Sequence, residues 1–228
     1  MRTSKYWPHR LFVLLVVPSL LAHAAFAQPA LLPLSPAQTL LFDTPHLANI
    51  EHAEKLRYAF SQTGPAAFDD TIILSVLHVN DDGSKSVTFD YLTGDHHQKF
   101  PELDHFRGNP LIMLALEQNV DQLNAALGVS KASLRNRIRD SFLTGATVEP
   151  TKITRDGTEF PATNVTVTPF AHADRFDRIP SLQARTYSIT VAPGLPGGIA
   201  GIVIDTPADT ALDAPAFSQK ISFVGVEK

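Results

Sequence analysis

The chain has 228 residues, with 19 Lys and Arg against 23 Asp and Glu, and no cysteine. The missing thiol excludes disulfides, thiolate metal centres, a cysteine nucleophile and c-type haem attachment. The acidic balance argues against nucleic acid or an anionic membrane as partner.

Residues 1–27 read as a secretory signal peptide. Arg2, Lys5 and Arg10 form a positive n-region, residues 11–22 an apolar run of twelve, and Ala25-Phe26-Ala27 a small-x-small cleavage site. The run is shorter than the about 20 residues of a membrane span, and Pro18 interrupts it. Cleavage is expected after Ala27, leaving a soluble periplasmic chain with 16 Lys and Arg against 23 Asp and Glu, not an integral membrane protein. Residues 28–50 hold Pro29, Pro33, Pro36 and Pro45 among scattered leucines and read as a Pro-rich extended arm. Residues 51–228 read as one domain, long enough to bury a core without disulfides.

Short β segments follow the arm. Within 55–61, Leu56, Tyr58 and Phe60 alternate with Arg57 and Ala59. Residues 71–79 are dense in β-branched side chains, as in a central strand. The turn Asn80-Asp81-Asp82-Gly83 joins them to 84–92, giving a β-hairpin. A polar loop over 93–108 then leads to the most strongly patterned stretch, 108–128.

Asn109 is an N-cap, Pro110 suits the first helical position and Gly128 the end. Between them Ile112, Leu116, Val120, Leu123 and Leu127 form one helical stripe. A second helix begins near Ser130 or Ser133, carries Leu134, Ile138 and Phe142, and ends near Gly145. The short link predicts antiparallel neighbours. The β pattern resumes at 147–153 and 160–168 around an Arg155-Asp156-Gly157-Thr158 turn. Further strands are predicted at 185–191, 199–205 and 221–226, with Pro193 to Gly198 a compound turn. The fold class is therefore α+β: a curved antiparallel β-sheet of about seven strands in meander order, with a two-helix insertion packed on one face.

An early strand with Leu56-Arg57-Tyr58, and a late hairpin from Tyr187-Ser188-Ile189 to Pro196-Gly197-Gly198 behind a signal peptide, resemble the exported lipoprotein-carrier and related lipid-binding families of Gram-negative bacteria. The resemblance implies a curved sheet with helices against its concave face, and transfers no functional residue. Asp90-Tyr91-Leu92-Thr93-Gly94 and Arg135-Asn136-Arg137-Ile138-Arg139 are also similar to uncharacterised exported proteobacterial proteins.

The candidate chemistry is sparse. His96, His97 and His105, beside Asp95 and Asp104, are of the right types for a zinc site, but their spacing fits no metal motif, and a solvated loop explains them better. Arg135 and Arg139 share a helix face, with Arg137 about 200° away; ion pairing with Asp140 or a glutamate accounts for them. The stretch 194–201 lacks a P-loop lysine and reads as a hairpin connection. There is no G-x-S-x-G or H-E-x-x-H, so no catalytic residue and no cofactor are expected. Leu111, Met113 and Leu114 lie off the main stripe and are candidate contacts for a lipid or other apolar ligand, with Tyr58 and Tyr91 from the sheet. Three functions are ranked on these grounds. A non-enzymatic periplasmic carrier with its apolar ligand between sheet and helix comes first. An assembly accessory contacting an envelope protein is second, and a metal-dependent hydrolase using His96, His97 and His105 is third.

Overall fold

A computed structural model of the chain describes residues 33–64 and 66–227. The expected signal peptide and the first residues of the arm lie outside them. Strands β1 (Glu54–Thr63), β2 (Phe68–Val79) and β3 (Lys85–Tyr91) follow one another antiparallel, and two short strands, β4 (Gln98–Lys99) and β5 (Leu103–Phe106), both pair with the outer edge of β3. Two helices, α2 (Leu111–Leu127) and α3 (Lys131–Thr144), intervene. Then β6 (Thr147–Arg155), β7 (Thr158–Val167), β8 (Thr186–Val191), β9 (Ile199–Thr206) and β10 (Phe217–Glu227) form a second meander. Antiparallel pairing of β10 with β1 joins the two, giving the order β4-β3-β2-β1-β10-β9-β8-β7-β6.

The α+β class and the antiparallel sheet agree with the expectation; the strand number does not. Among the described residues the sheet has ten strands rather than about seven. The 93–108 stretch, read as a loop, holds β4 and β5. Strands of two and four residues are too short to show a period, and their pairing is imposed by β3.

One sheet face is apolar because its strands alternate in phase. Leu56, Tyr58 and Phe60 of β1 lie level with Ile72 and Leu74 of β2 on one side and Ile221 and Phe223 of β10 on the other, all buried. The row continues through Ile202 and Ile204 of β9 to Tyr187 and Ile189 of β8. The sheet is strongly coiled. From β10 to β6 is four strand spacings, about 19 Å if flat. Yet Arg155 of β6 donates from Nη1 to the Phe223 carbonyl of β10 at 2.7 Å, its guanidinium 5.1 Å from the Phe223 ring. Only a curled sheet lets one side chain span that gap.

Within the segment read as an extended arm, residues 36–43 are helical. The first turn, α1 (Pro36–Gln38), runs into a π-helical turn over Thr39–Asp43. Ser35 Oγ accepts from Gln38 N at 3.1 Å and Gln38 Oε1 accepts from Ser35 N at 3.1 Å, a reciprocal capping box with Pro36 at the first helical position. Those paired donors, together with the buried Ala37 and Leu41, outweigh the extended bias of the prolines.

Helix α2 (Leu111–Leu127) starts and stops as its residues dictate. Asn109 Oδ1 accepts from Leu111 N at 3.0 Å, and Gly128, at φ 63°, donates to Asn124 O. Helix α3 (Lys131–Thr144) is capped by Ser130 and buries Leu134, Ile138 and Phe142. Ion pairs Lys131–Asp121 and Arg135–Glu117 step in opposite senses along the two helices, which fixes them as antiparallel neighbours. A short helix, α4 (Pro180–Gln183), precedes β8. No helix among the described residues is long and apolar enough to cross a membrane.

Candidate functional site: an apolar groove between three helices

Helix α2 presents one side to the sheet and another to α3. The sheet side is held by polar groups. Tyr91 donates to Gln118 Oε1 at 2.8 Å, Tyr187 to Asn119 Oδ1 at 2.5 Å, and Gln219 Nε2 to Gln118 Oε1 at 3.3 Å. Gln122 Nε2 donates to Gln62 Oε1 at 3.1 Å. Burial pushes the Tyr187 phenol up to about 12 and raises that of Tyr91, so both remain protonated donors. Asn119 and Tyr187 are both fully buried. Asn119→Leu or Tyr187→Phe alone should cost about 1–3 kcal/mol by stranding the partner. The double variant should cost less than the sum by about 1 kcal/mol or more in denaturant titrations, and strict additivity would refute the coupling.

The other side of α2 opens onto an apolar groove of about 410 Å³. Met113, Leu116 and Val120 form its α2 wall, and Ile138 and Phe142 its α3 wall. Leu34 and Phe42 close it from the helical arm. The arm is positioned by Ser35, whose Oγ donates to the Phe142 carbonyl at 2.7 Å, and by the Phe42 ring, edge-on to Phe142 with centroids 5.6 Å apart. Leu34, Phe42 and Met113 are 55%, 45% and 49% exposed, so three of the large apolar side chains left in water gather at one place. Charge sits at the rim: Arg135 pairs with Glu117, and that hydrogen bonding holds the Glu117 carboxyl below its ordinary value. Two larger depressions are less suited to an apolar ligand. One, about 680 Å³ on the far side of α3, is lined by Ser133, Asn136, Arg137, Asp140 and other polar groups. The other, about 880 Å³, lies at the ends of β1, β2 and β10 near Leu77 and Val226.

The candidate contacts separate. Met113 lines the groove, whereas Leu111 is fully buried in the core. Leu114 and Tyr91 line a smaller cleft of about 320 Å³ beside Gln98, Phe100 and Gln118. Tyr58 has no exposed surface and its hydroxyl oxygen accepts from Asn109 Nδ2 at 3.1 Å, which places it and Leu111 among packing residues. The three histidines do not converge. His96 stacks on Phe68 at 4.0 Å, His97 lies 3.3 Å from Asp90, and His105 meets Ser84 at 3.2 Å and Asp104 at 3.6 Å. Among the described residues no group of three or more His, Asp or Glu side chains is arranged to hold a metal ion. Arg135 and Arg139 face the groove together and Arg137 the opposite depression, as the helical angle requires. Sequence reasoning missed Leu34 and Phe42. The Ser35–Gln38 capping box was the available signal, since it sets a helical frame in which Gln38 and Phe42 fall on one face.

No model of a known protein family matches the chain, and no curated protein matches it in sequence. The chain is similar to a solved structure of the MucA/MucB complex of Pseudomonas aeruginosa, at 12% identity over 85% of this chain and 57% of that one, with a TM-score of 0.38. The chain thus spans little more than half of that relative. It is similar to the lipoprotein LppX of Mycobacterium tuberculosis at 11% identity over 75% of this chain and 84% of that one, with a TM-score of 0.28. It is also similar to a LolA superfamily protein of Nitrosomonas europaea at 8% identity over 84% and 92%, with a TM-score of 0.21.

Proposed function

We propose that the protein is an exported, non-enzymatic binding protein that holds an apolar, lipid-like ligand in the groove between the arm, α2 and α3. The observation that carries this reading is the convergence of Leu34, Phe42 and Met113, each about half exposed, on one apolar groove of about 410 Å³. That volume is within the usual range for a small-molecule site. The proposed location differs from the sheet–helix space expected from sequence, where phenols and amides of α2 and the sheet pair with one another.

The test is a neutral apolar dye, N-phenyl-naphthylamine, titrated into purified native protein. Fluorescence should rise and saturate, and Met113→Asp should weaken the affinity about tenfold or more by placing a carboxylate against the ligand. Absence of a native-state signal, or an unchanged affinity in the variant, would remove this reading. A second reading, an assembly accessory, is favoured by Leu77, Val224 and Val226, exposed on β2 and β10, the two strands that flank β1. Crosslinking that captures an envelope protein and is lost on Leu77→Asp, with no dye bound, would favour it instead.

A further inference from the structure

The groove's charged rim is uneven. Arg135 is held in a two-pronged pair: its Nε donates to Glu117 Oε2 at 2.8 Å and its Nη2 to Oε1 of the same carboxylate. Arg139 lies one turn further along the same wall, and its partner is its own sequence neighbour. Its Nε and Nη2 share the single oxygen Asp140 Oδ1 at 3.4 and 3.3 Å, with the two side chains 67% and 61% exposed. Bonds that long to one shared atom leave most of the five guanidinium donors to water. A fork-shaped cation with spare donors therefore stands at the mouth of an apolar trough.

We infer that the ligand of this groove is a single-chain alkyl carboxylate, its tail laid along Phe42, Met113 and Ile138 and its head on the guanidinium edge of Arg139 that Asp140 leaves open. The inference rests on the apolar-ligand reading above and names the chemical class. A planar carboxylate matches a guanidinium bidentately, which a hydroxyl head does not. One negative charge suits the rim better than two. Glu117 cancels Arg135, and Glu117 and Asp140 repel the second charge of a phosphate monoester. A cationic head meets Arg139 itself.

The experiment is displacement of the neutral dye by four twelve-carbon amphiphiles, each below its micelle concentration: dodecanoate, dodecanol, dodecyl phosphate and dodecyltrimethylammonium. Dodecanoate should displace at about ten- to a hundredfold lower concentration than dodecanol, the span expected for a hydrogen-bonded charge pair. Dodecyl phosphate should follow dodecanoate, and the ammonium compound should be weakest. Arg139→Gln should bring dodecanoate to the level of dodecanol. Lys152→Gln, a cation on the β6–β7 hairpin paired with Glu159, should keep the preference. Equal displacement by dodecanoate and dodecanol overturns the head-group assignment and leaves the apolar groove standing, and tighter phosphate binding overturns the carboxylate assignment alone. If dye binds nowhere and light scattering shows a dimer that Met113→Asp dissolves, a second copy fills the groove and both readings fall.

Discussion

Replacing Asn109 by alanine is expected to lower the unfolding free energy by about 3–5 kcal/mol. Three hydrogen bonds meet at this buried amide. Its Oδ1 accepts from Leu111 N at 3.0 Å, and its Nδ2 donates to Tyr58 Oη at 3.1 Å and to the Gly197 carbonyl at 2.8 Å. One side chain thus caps α2, anchors it to β1 and fixes the β8–β9 turn. Alanine leaves a helix N–H, a phenol and a carbonyl unpartnered where water has no ready entry, and such groups cost more than the bonds they formed. The turn has little freedom to compensate. Gly197 sits at φ 75°, and a Cβ there would collide with Leu56 Cδ1, so the backbone is pinned against β1. Asn109→Asp separates the contributions: it keeps the cap on Leu111 but sets a negative charge against the Gly197 carbonyl. Urea unfolding should show both variants with reduced midpoints, by about 1 M or more for alanine at an ordinary dependence on urea. A shift under about 1 kcal/mol for Asn109→Ala would mean that water repairs the site.

Asn109 also marks how far local pattern carries. Its capping role was legible, because Asn-Pro before an apolar stripe and Gly after it are instructions that a helix obeys alone. The hairpins were legible for the same reason, since alternation at β1, β3 and β8 reports burial on one face. The bonds from Asn109 to Tyr58 and Gly197 were not, being 51 and 88 residues away in sequence. Asn119 carries the same lesson. It is a polar residue at the edge of the stripe, seven places after Ile112, and it is fully buried because Tyr187 offers a donor that no local window contains. The candidate site was half visible. Met113 stood out as an apolar side chain without a place on the stripe, but the groove needs Leu34 and Phe42 folded back from a segment whose prolines suggest extension. Arg139 was visible as a partner of Arg135 on one face. What distinguishes them, the two-pronged capture of Arg135 by Glu117, exists only after α2 and α3 pack.

Phe142→Ala should cost about 3 kcal/mol, at the lower end of the range for a buried aromatic ring. The ring is 1% exposed and forms part of the α3 stripe, with Phe42 edge-on at 5.6 Å. In a closed core its removal would add a cavity penalty to the lost transfer free energy. Here the ring borders an open groove, so the space it leaves joins that groove and is solvated in part, which trims the cavity contribution. The loss should appear as a fall in Tm of about 6–12 °C for a chain of this size. The contrast with Met113 makes the result diagnostic. Met113 is half exposed, so Met113→Asp should cost about 1 kcal/mol or less in stability while weakening dye binding about tenfold. Phe142→Ala should do the reverse in proportion: it widens the groove and loosens the arm, giving a large stability loss with the dye still bound at low temperature. Equal stability losses in the two variants would mean that Met113 is structural and that the groove closes over it in solution. A stable Phe142→Ala would mean that the arm, tied by Ser35 to the Phe142 carbonyl, holds α3 without the ring.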